Sequence, residues 1–167
     1  IQNSFGFDVS LYSKLIAKKN AKKSIIVEDI NQIPEHSIDL ISVLHVIEHI
    51  SDTELQKILK NFNHIIKKDG IMLIVTPAKN GLAHQIKKKE WIALKDKTHI
   101  NLKTYDNWIV FFKKNNLELI KASNDGLWDF PYFTIKYIFK FFKILIILLI
   151  QIFFGKLILP PFEGETF

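Results

Sequence analysis

Short β-branched runs alternate with helix-period stripes through the first two-thirds of the chain, and this alternation limits the fold more than any other feature. Residues 3–8 read as the end of a strand. Ser10 then starts a helix in which Leu11, Leu15 and Ile16 carry apolar spacing and Lys18, Lys19, Lys22 and Lys23 close it. Residues 24–28 form a second strand, bounded by Asp29 and Pro34, and residues 37–44 form a buried strand. From Asp52, the residues Leu55, Ile58, Leu59, Phe62, Ile65 and Ile66 fall on one helical stripe. Lys67-Lys68-Asp69-Gly70 is expected to end that helix, with lysines at the negative end of the dipole and glycine past it. Residues 71–75 are a further strand stopped by Pro77, residues 105–115 return to helical spacing, and residues 117–122 read as another strand. Strands alternating with helices predict an α/β fold: a Rossmann-like, mostly parallel sheet with helices on both faces.

Composition narrows the function. At 167 residues, 48% hydrophobic and 24% charged, the chain suits one folded core. It has no cysteine, which excludes disulfides and thiolate metal sites. The net charge is +6, and every basic residue is lysine. A nucleic-acid reader is expected to use arginine forks, so no nucleic-acid partner is predicted. Lysine richness fits nucleotide bias or a solvated basic face, and it also suits anionic lipid. The chain begins at Ile1 and no signal-peptide pattern follows, so it reads as a fragment or a processed product; the localisation expected is cytoplasmic, with the inner face of a membrane as the other place considered.

Ligands of doubly wound folds sit at the C-terminal ends of the strands. Those ends carry Asp8, Glu28-Asp29, the turn at residues 44–49, and Thr76-Pro77. Asp8 can accept hydrogen bonds from two adjacent ribose hydroxyls, and Gly6 permits close backbone approach. The competing reading of Asp8 is an acid before a helix N-cap. Asp29 can accept from an adenine amino group, or it can be an ordinary turn residue.

Together these residues resemble the class I S-adenosylmethionine-dependent methyltransferases of small-molecule type, including those of quinone and cell-surface glycan pathways. The resemblance is carried by Gly6-Phe7-Asp8-Val9-Ser10, Glu28-Asp29 with Ile33-Pro34, residues 37–41 running into Val46-Ile47-Glu48-His49-Ile50, residues 66–77, and Asp96-Lys97-Thr98-His99-Ile100. It implies S-adenosylmethionine as cofactor, with Asp8 on the ribose, Asp29 and Ile30 on the adenine, and Leu44 and His45 at the methionine end. The family's glycine-rich loop would precede Gly6, and no G-x-G occurs in the chain. This predicts a natural protein longer at its N-terminus, a fragment that binds cofactor poorly and is inactive by itself, and a fold incomplete at both ends. The alternative is a non-catalytic relic acting as a membrane-peripheral or partner-binding module.

His45, Glu48 and His49 stand at i, i+3 and i+4, a weak candidate for a divalent-metal triad. The preferred reading is no metal, with the Glu-His pair orienting its loop by hydrogen bonds. His99 or His49 is the candidate general base for the acceptor. His36, His64 and His84 read as surface groups. Of the tryptophans, Trp91, Trp108 and Trp128 can each stack on a substrate; Trp108 fits the core, and Trp128 is the expected pocket or lid residue.

The domain organisation expected is a partial methyltransferase domain at 1–131, an apolar helical segment at 132–159, and the start of a strand at 160–167. Residues 144–154 are apolar except Gln151, too short a run to span a bilayer. Lys136, Lys140 and Lys143 share a helical face ahead of it, so the segment is either a lid or an interfacial helix in peripheral membrane contact. The acceptor predicted is a small-molecule or lipid-linked substrate.

Overall fold

In the computed structural model of the chain, the residues described are 4–129, 132 and 138–167, without the side chain of Lys140. The element order is β1 (Ser4–Gly6), α1 (Leu11–Asn20), β2 (Ser24–Ile26), β3 (Ile38–Leu44), α2 (Asp52–Ile65), β4 (Ile66–Val75), α3 (Leu82–Lys87), α4 (Ile92–Lys95), α5 (Tyr105–Lys114) and α6 (Ile138–Phe154), with 3₁₀ turns at Ile30–Gln32, Ile47–His49 and Lys88–Glu90. The chain divides into two compact units, Ile1–Ile41 with Lys57–Met72, and Ser42–Gln56 with Leu73–Phe167.

In the first unit, β1 and β2 pair in parallel, Ser4 with Ser24 and Gly6 with Ile26. Ser10 caps α1 by accepting the Ser13 N–H, as its position predicts. The expected apolar stripe of α1 is not covered: Leu11, Leu15 and Ile16 are exposed. Glu28 accepts hydrogen bonds from Lys14 and Lys18, which hold its carboxyl down at about 2.

Strands β3 and β4 are neighbours in a second two-stranded sheet. The Ser37 N–H donates to Ile65 O and the His45 N–H to Val75 O, so the two strands run the same way, and β4 carries two more residues than β3 between these bonds. The extra residues fall where the sequence predicted a helix end. Lys67-Lys68-Asp69-Gly70 is instead part of β4. Lys67 bonds Asp39 of β3 at 2.6 Å, and a Cβ on Gly70 would lie 3.0 Å from Ile38 O and 2.5 Å from Ile66 Cγ1, so the segment is held close against its neighbour and against Ile66 at the start of its own strand. The period of two buries Ile41 and Val43 of β3 and leaves Leu40 and Leu44 exposed, so this strand is covered on one face rather than two. Helix α2 buries Leu55, Leu59 and Ile65 of its predicted stripe. Ser51 opens it with a reciprocal cap, accepting the Glu54 N–H while its hydroxyl donates to the Glu54 carboxylate.

In the second unit the core gathers Leu82, Trp91, Leu127, Tyr132, Ile144, Leu148 and Leu159. Residues 117–122 form no strand, since no described segment supplies a ladder; Leu119 and Ile120 stay exposed, and the nearest pairing is a single antiparallel bridge, Asn124 with Leu159. The expected strand after Gly164 is likewise a single bridge, Thr166 with Pro77. Asn124, wholly buried, ties these ends together: it donates to Pro161 O and Thr166 O and accepts from the Gly126 N–H. Gly164 has no room for a side chain, because a Cβ would overlap the Asn124 amide. Within α6, Ile144, Leu148 and Gln151 are buried; of the predicted segment 132–159, residues 133–137, Lys136 among them, lie outside the described residues, as do Phe130 and Pro131 before it.

Candidate active site

The second unit brings the turn after β3, the end of β4 and the segment before α5 to one place. His45 follows β3 in a left-handed conformation (φ +53°) that directs its ring back onto the next 3₁₀ turn. Its Nδ1 lies 3.3 Å from Oε1 of Glu48. Glu48 is wholly buried, and its Oε2 accepts from the Thr76 hydroxyl at 3.2 Å. The Glu48 carbonyl accepts the Asn101 N–H at 2.9 Å, so one residue fastens three segments. Asn101 also donates to Ile50 O and to Asp52. Burial raises the Asp52 pKa, but hydrogen bonds from Lys103 and Asn101 outweigh it and leave the carboxyl below its usual range.

The two candidate bases have defined tautomers. Thr98 donates its only hydroxyl proton to Asp96 at 2.6 Å, so its oxygen accepts from His49 Nδ1 at 2.9 Å. His99 Nδ1 faces the Ala93 carbonyl at 2.7 Å, and a carbonyl can only accept. Both neutral rings therefore carry their proton on Nδ1 and a lone pair on Nε2. The rings meet edge to face, 4.5 Å between centroids. Hydrogen bonds from the Thr98 hydroxyl and backbone N–H hold the Asp96 carboxyl below its ordinary value.

Beside them is a cavity of about 250 Å³. Trp91, Ile92, Ala93 and Pro77 give it an apolar lining, and His45, His99, Asp96 and Glu165 give it polar groups. Glu165 is held by the backbone N–H of Trp128 at 2.7 Å and by the Tyr132 hydroxyl. The pocket tryptophan is Trp91, which is buried, stacked on His84 at 4.9 Å; Trp128 is exposed and lines nothing here. His84 is accordingly half-buried rather than a surface group, while His36 and His64 are exposed as expected. Trp108 is a core residue, as its stripe predicted.

The group that could hold a metal differs from the one the spacing suggested. One ligand atom each of Glu48, His49 and His99 lies within 4.8 Å of the others, and His45 is not in the group. The spacing argument needed a helix from residue 45, whereas the 3₁₀ turn begins at Ile47. Both Glu48 oxygens lie within hydrogen-bond distance of protein groups, Oε1 of His45 Nδ1 and Oε2 of the Thr76 hydroxyl.

The candidate cofactor residues divide between the units. Leu44 ends β3 and is exposed, next to His45. In the first unit, Gly6 ends β1, and its carbonyl accepts the Val27 N–H. A Cβ there would meet Ile26 Cδ1, the end of a flexible side chain, at 2.8 Å. Asp8 is exposed and accepts the Ser10 N–H at 2.7 Å, and Asp29 is exposed and caps the turn at Ile30–Gln32 through Asn31. Ile30 is buried.

Residues 3–122 match the family described as methyltransferase domain. No curated protein sequence matches the chain. Among solved structures, the fold is similar to an S-adenosylmethionine-dependent methyltransferase from Archaeoglobus fulgidus (15% identity, TM-score 0.56, covering 98% of this chain and 72% of that one). It is also similar to a protein assigned to the type 11 methyltransferases from Sulfolobus solfataricus (18%, TM-score 0.50, 65% and 57%). A third is the YcgJ protein from Bacillus subtilis (20%, TM-score 0.50, 70% and 53%). The match thus spans little more than half the length of two of these structures.

Proposed function

The chain belongs to the methyltransferase-domain family, and on that premise we propose that it serves S-adenosylmethionine-dependent methyl transfer to a small-molecule or lipid-linked acceptor. Asp8 takes the ribose hydroxyls, Asp29 with Ile30 takes the adenine, and Leu44 and His45 line the methionine end. The donor set suits this in kind. Asp8 and Asp29 are exposed carboxylates, each with one oxygen engaged locally, and a carboxylate has about four lone-pair sites. When bound, the cofactor supplies an electrophilic methyl group on a positively charged sulfur.

The observation that carries the acceptor side is His99. Its Nδ1–H is fixed on Ala93 O, so Nε2, 3.7 Å from Asp96 Oδ2, carries the lone pair that takes a proton from an acceptor hydroxyl or amine in the adjoining cavity. His49, oriented by Thr98, stands at its edge as a second proton carrier. Trp91, Ile92 and Pro77 hold an apolar ring or chain and exclude water, so their part is positioning. An acceptor with an apolar ring or lipid chain beside a reactive hydroxyl, as in quinone or lipid-linked glycan precursors, suits that lining.

Saturation-transfer NMR with S-adenosylmethionine tests the reading, because it registers weak binding. Transfer to the ribose and adenine protons is expected, and Asp8→Ala with Asp29→Ala should abolish it. No transfer with the parent chain would overturn the proposal.

A further inference from the structure

Helix α6 is apolar on both sides. Its inner side places Ile144 and Leu148 in the core with Leu127, Leu159 and Trp91, and Gln151 is buried on the same side. The outer side carries Phe139, Phe142, Ile146, Leu149 and Phe153, at helical spacing along the whole element. All five are exposed, Phe139 at 88% and Phe153 at 83%. Water is a poor environment for a stripe of this size, so something covers it.

Charge identifies the cover. From residue 130 to residue 162 there is no acid, and the lysines are Lys136, Lys140, Lys143 and Lys156. Lys143 is well exposed on the flank of the stripe; Glu163, 3.9 Å from its amine, is largely buried. A second copy packed on the same stripe would bring two lysine-bordered edges together. An anionic lipid surface instead takes the phenylalanines into the acyl boundary and leaves the lysine amines among head groups. The helix has 17 residues, about 26 Å at 1.5 Å per residue, shorter than a bilayer core of about 30 Å. No helix among the described residues is long and apolar enough to cross a membrane.

We infer that the outer face of α6 is a docking surface for an anionic lipid interface, on which the helix lies in the membrane plane. Trp91 belongs both to the core under α6 and to the lining of the cavity, so the docked helix and the acceptor site share one support. That last link rests on the methyl-transfer reading; docking itself does not.

Flotation of the full chain with vesicles is the test, using phosphatidylcholine alone and phosphatidylcholine mixed with phosphatidylglycerol. Binding should be at least about tenfold stronger to the anionic vesicles, and Phe139→Ser with Phe153→Ser should weaken it by about tenfold or more. Leu11→Ser with Tyr12→Ser, exposed apolar residues of α1, should leave binding unchanged. If the phenylalanine variant folds poorly, Lys143→Gln with Lys156→Gln should by itself reduce the preference for anionic vesicles. Flotation unaffected by these changes, or a stable dimer in light scattering that the phenylalanine changes dissociate, would overturn the inference. Loss of cofactor binding with flotation intact would count against the proposed function and leave the docking surface standing.

Discussion

The side-chain oxygen of Gln151 accepts the backbone N–H of Leu159 at 2.8 Å, and that of Ile158 at 2.7 Å. The one polar residue in an eleven-residue apolar run therefore folds inward and satisfies the turn that follows its own helix. Gln151→Leu would raise hydrophobicity yet strand two N–H groups. We expect it to destabilise the protein by about 1–3 kcal/mol in urea unfolding. A neutral or stabilising result would mean that the turn finds other partners.

The two faces of α6 should respond differently to truncation. Ile144→Ala removes a side chain that is 1% exposed and should cost about 2–5 kcal/mol. Phe153→Ala removes a larger but exposed side chain and should stay within about 0.5 kcal/mol in detergent-free buffer. Equal losses would place the helix in a different orientation.

His99→Gln removes the proton acceptor but keeps a group able to donate to Ala93 O. In assays of methyl transfer, kcat should fall by about 10²- to 10⁴-fold with little change in cofactor affinity. Raising the pH should not restore the rate, since no titrating group replaces the ring. A variant that loses cofactor affinity instead would make His99 a structural residue.

His84 should make stability depend on pH. Burial beside Trp91, with Lys79 nearby, holds its pKa below 6.5, and its Nδ1 accepts the Asn80 N–H at 3.0 Å, a bond protonation at that nitrogen breaks. Between the lowered folded value and 6.5 the unfolded chain binds more protons, so stability rises with pH there. The contribution is complete above 6.5 and is lost as pH falls through the folded value. Thermal unfolding from neutral to mildly acid pH should show this slope, and His84→Gln should reduce it. An NMR titration placing the His84 pKa at or above 6.5 would refute the assignment.

Local patterning carried much of the fold. Ser10 caps α1, the stripe from Leu55 to Ile65 is buried, and α5 lies where residues 105–115 keep helical spacing. Each depends on residues within a turn or two, where period and capping chemistry are sufficient. The misreadings occur where a partner decides. Lys67-Lys68-Asp69-Gly70 has the composition of a helix end but is drawn into β4 by Asp39 and the backbone of Ile38. Residues 117–122 have strand composition and no strand beside them.

The sequence by itself determined the alternating α/β order, the acids Asp8 and Asp29 near the strand ends, and the Glu48-His49 turn after β3. Only the tertiary structure decided which groups meet there. It set His99, fifty positions along, against His49, and it put Trp91 rather than Trp128 in the cavity wall. The reason is that spacing along a helix or strand fixes neighbours a few residues apart. A contact across fifty residues depends on how loops close and on which buried polar groups, here Glu48 and Ala93 O, must find partners.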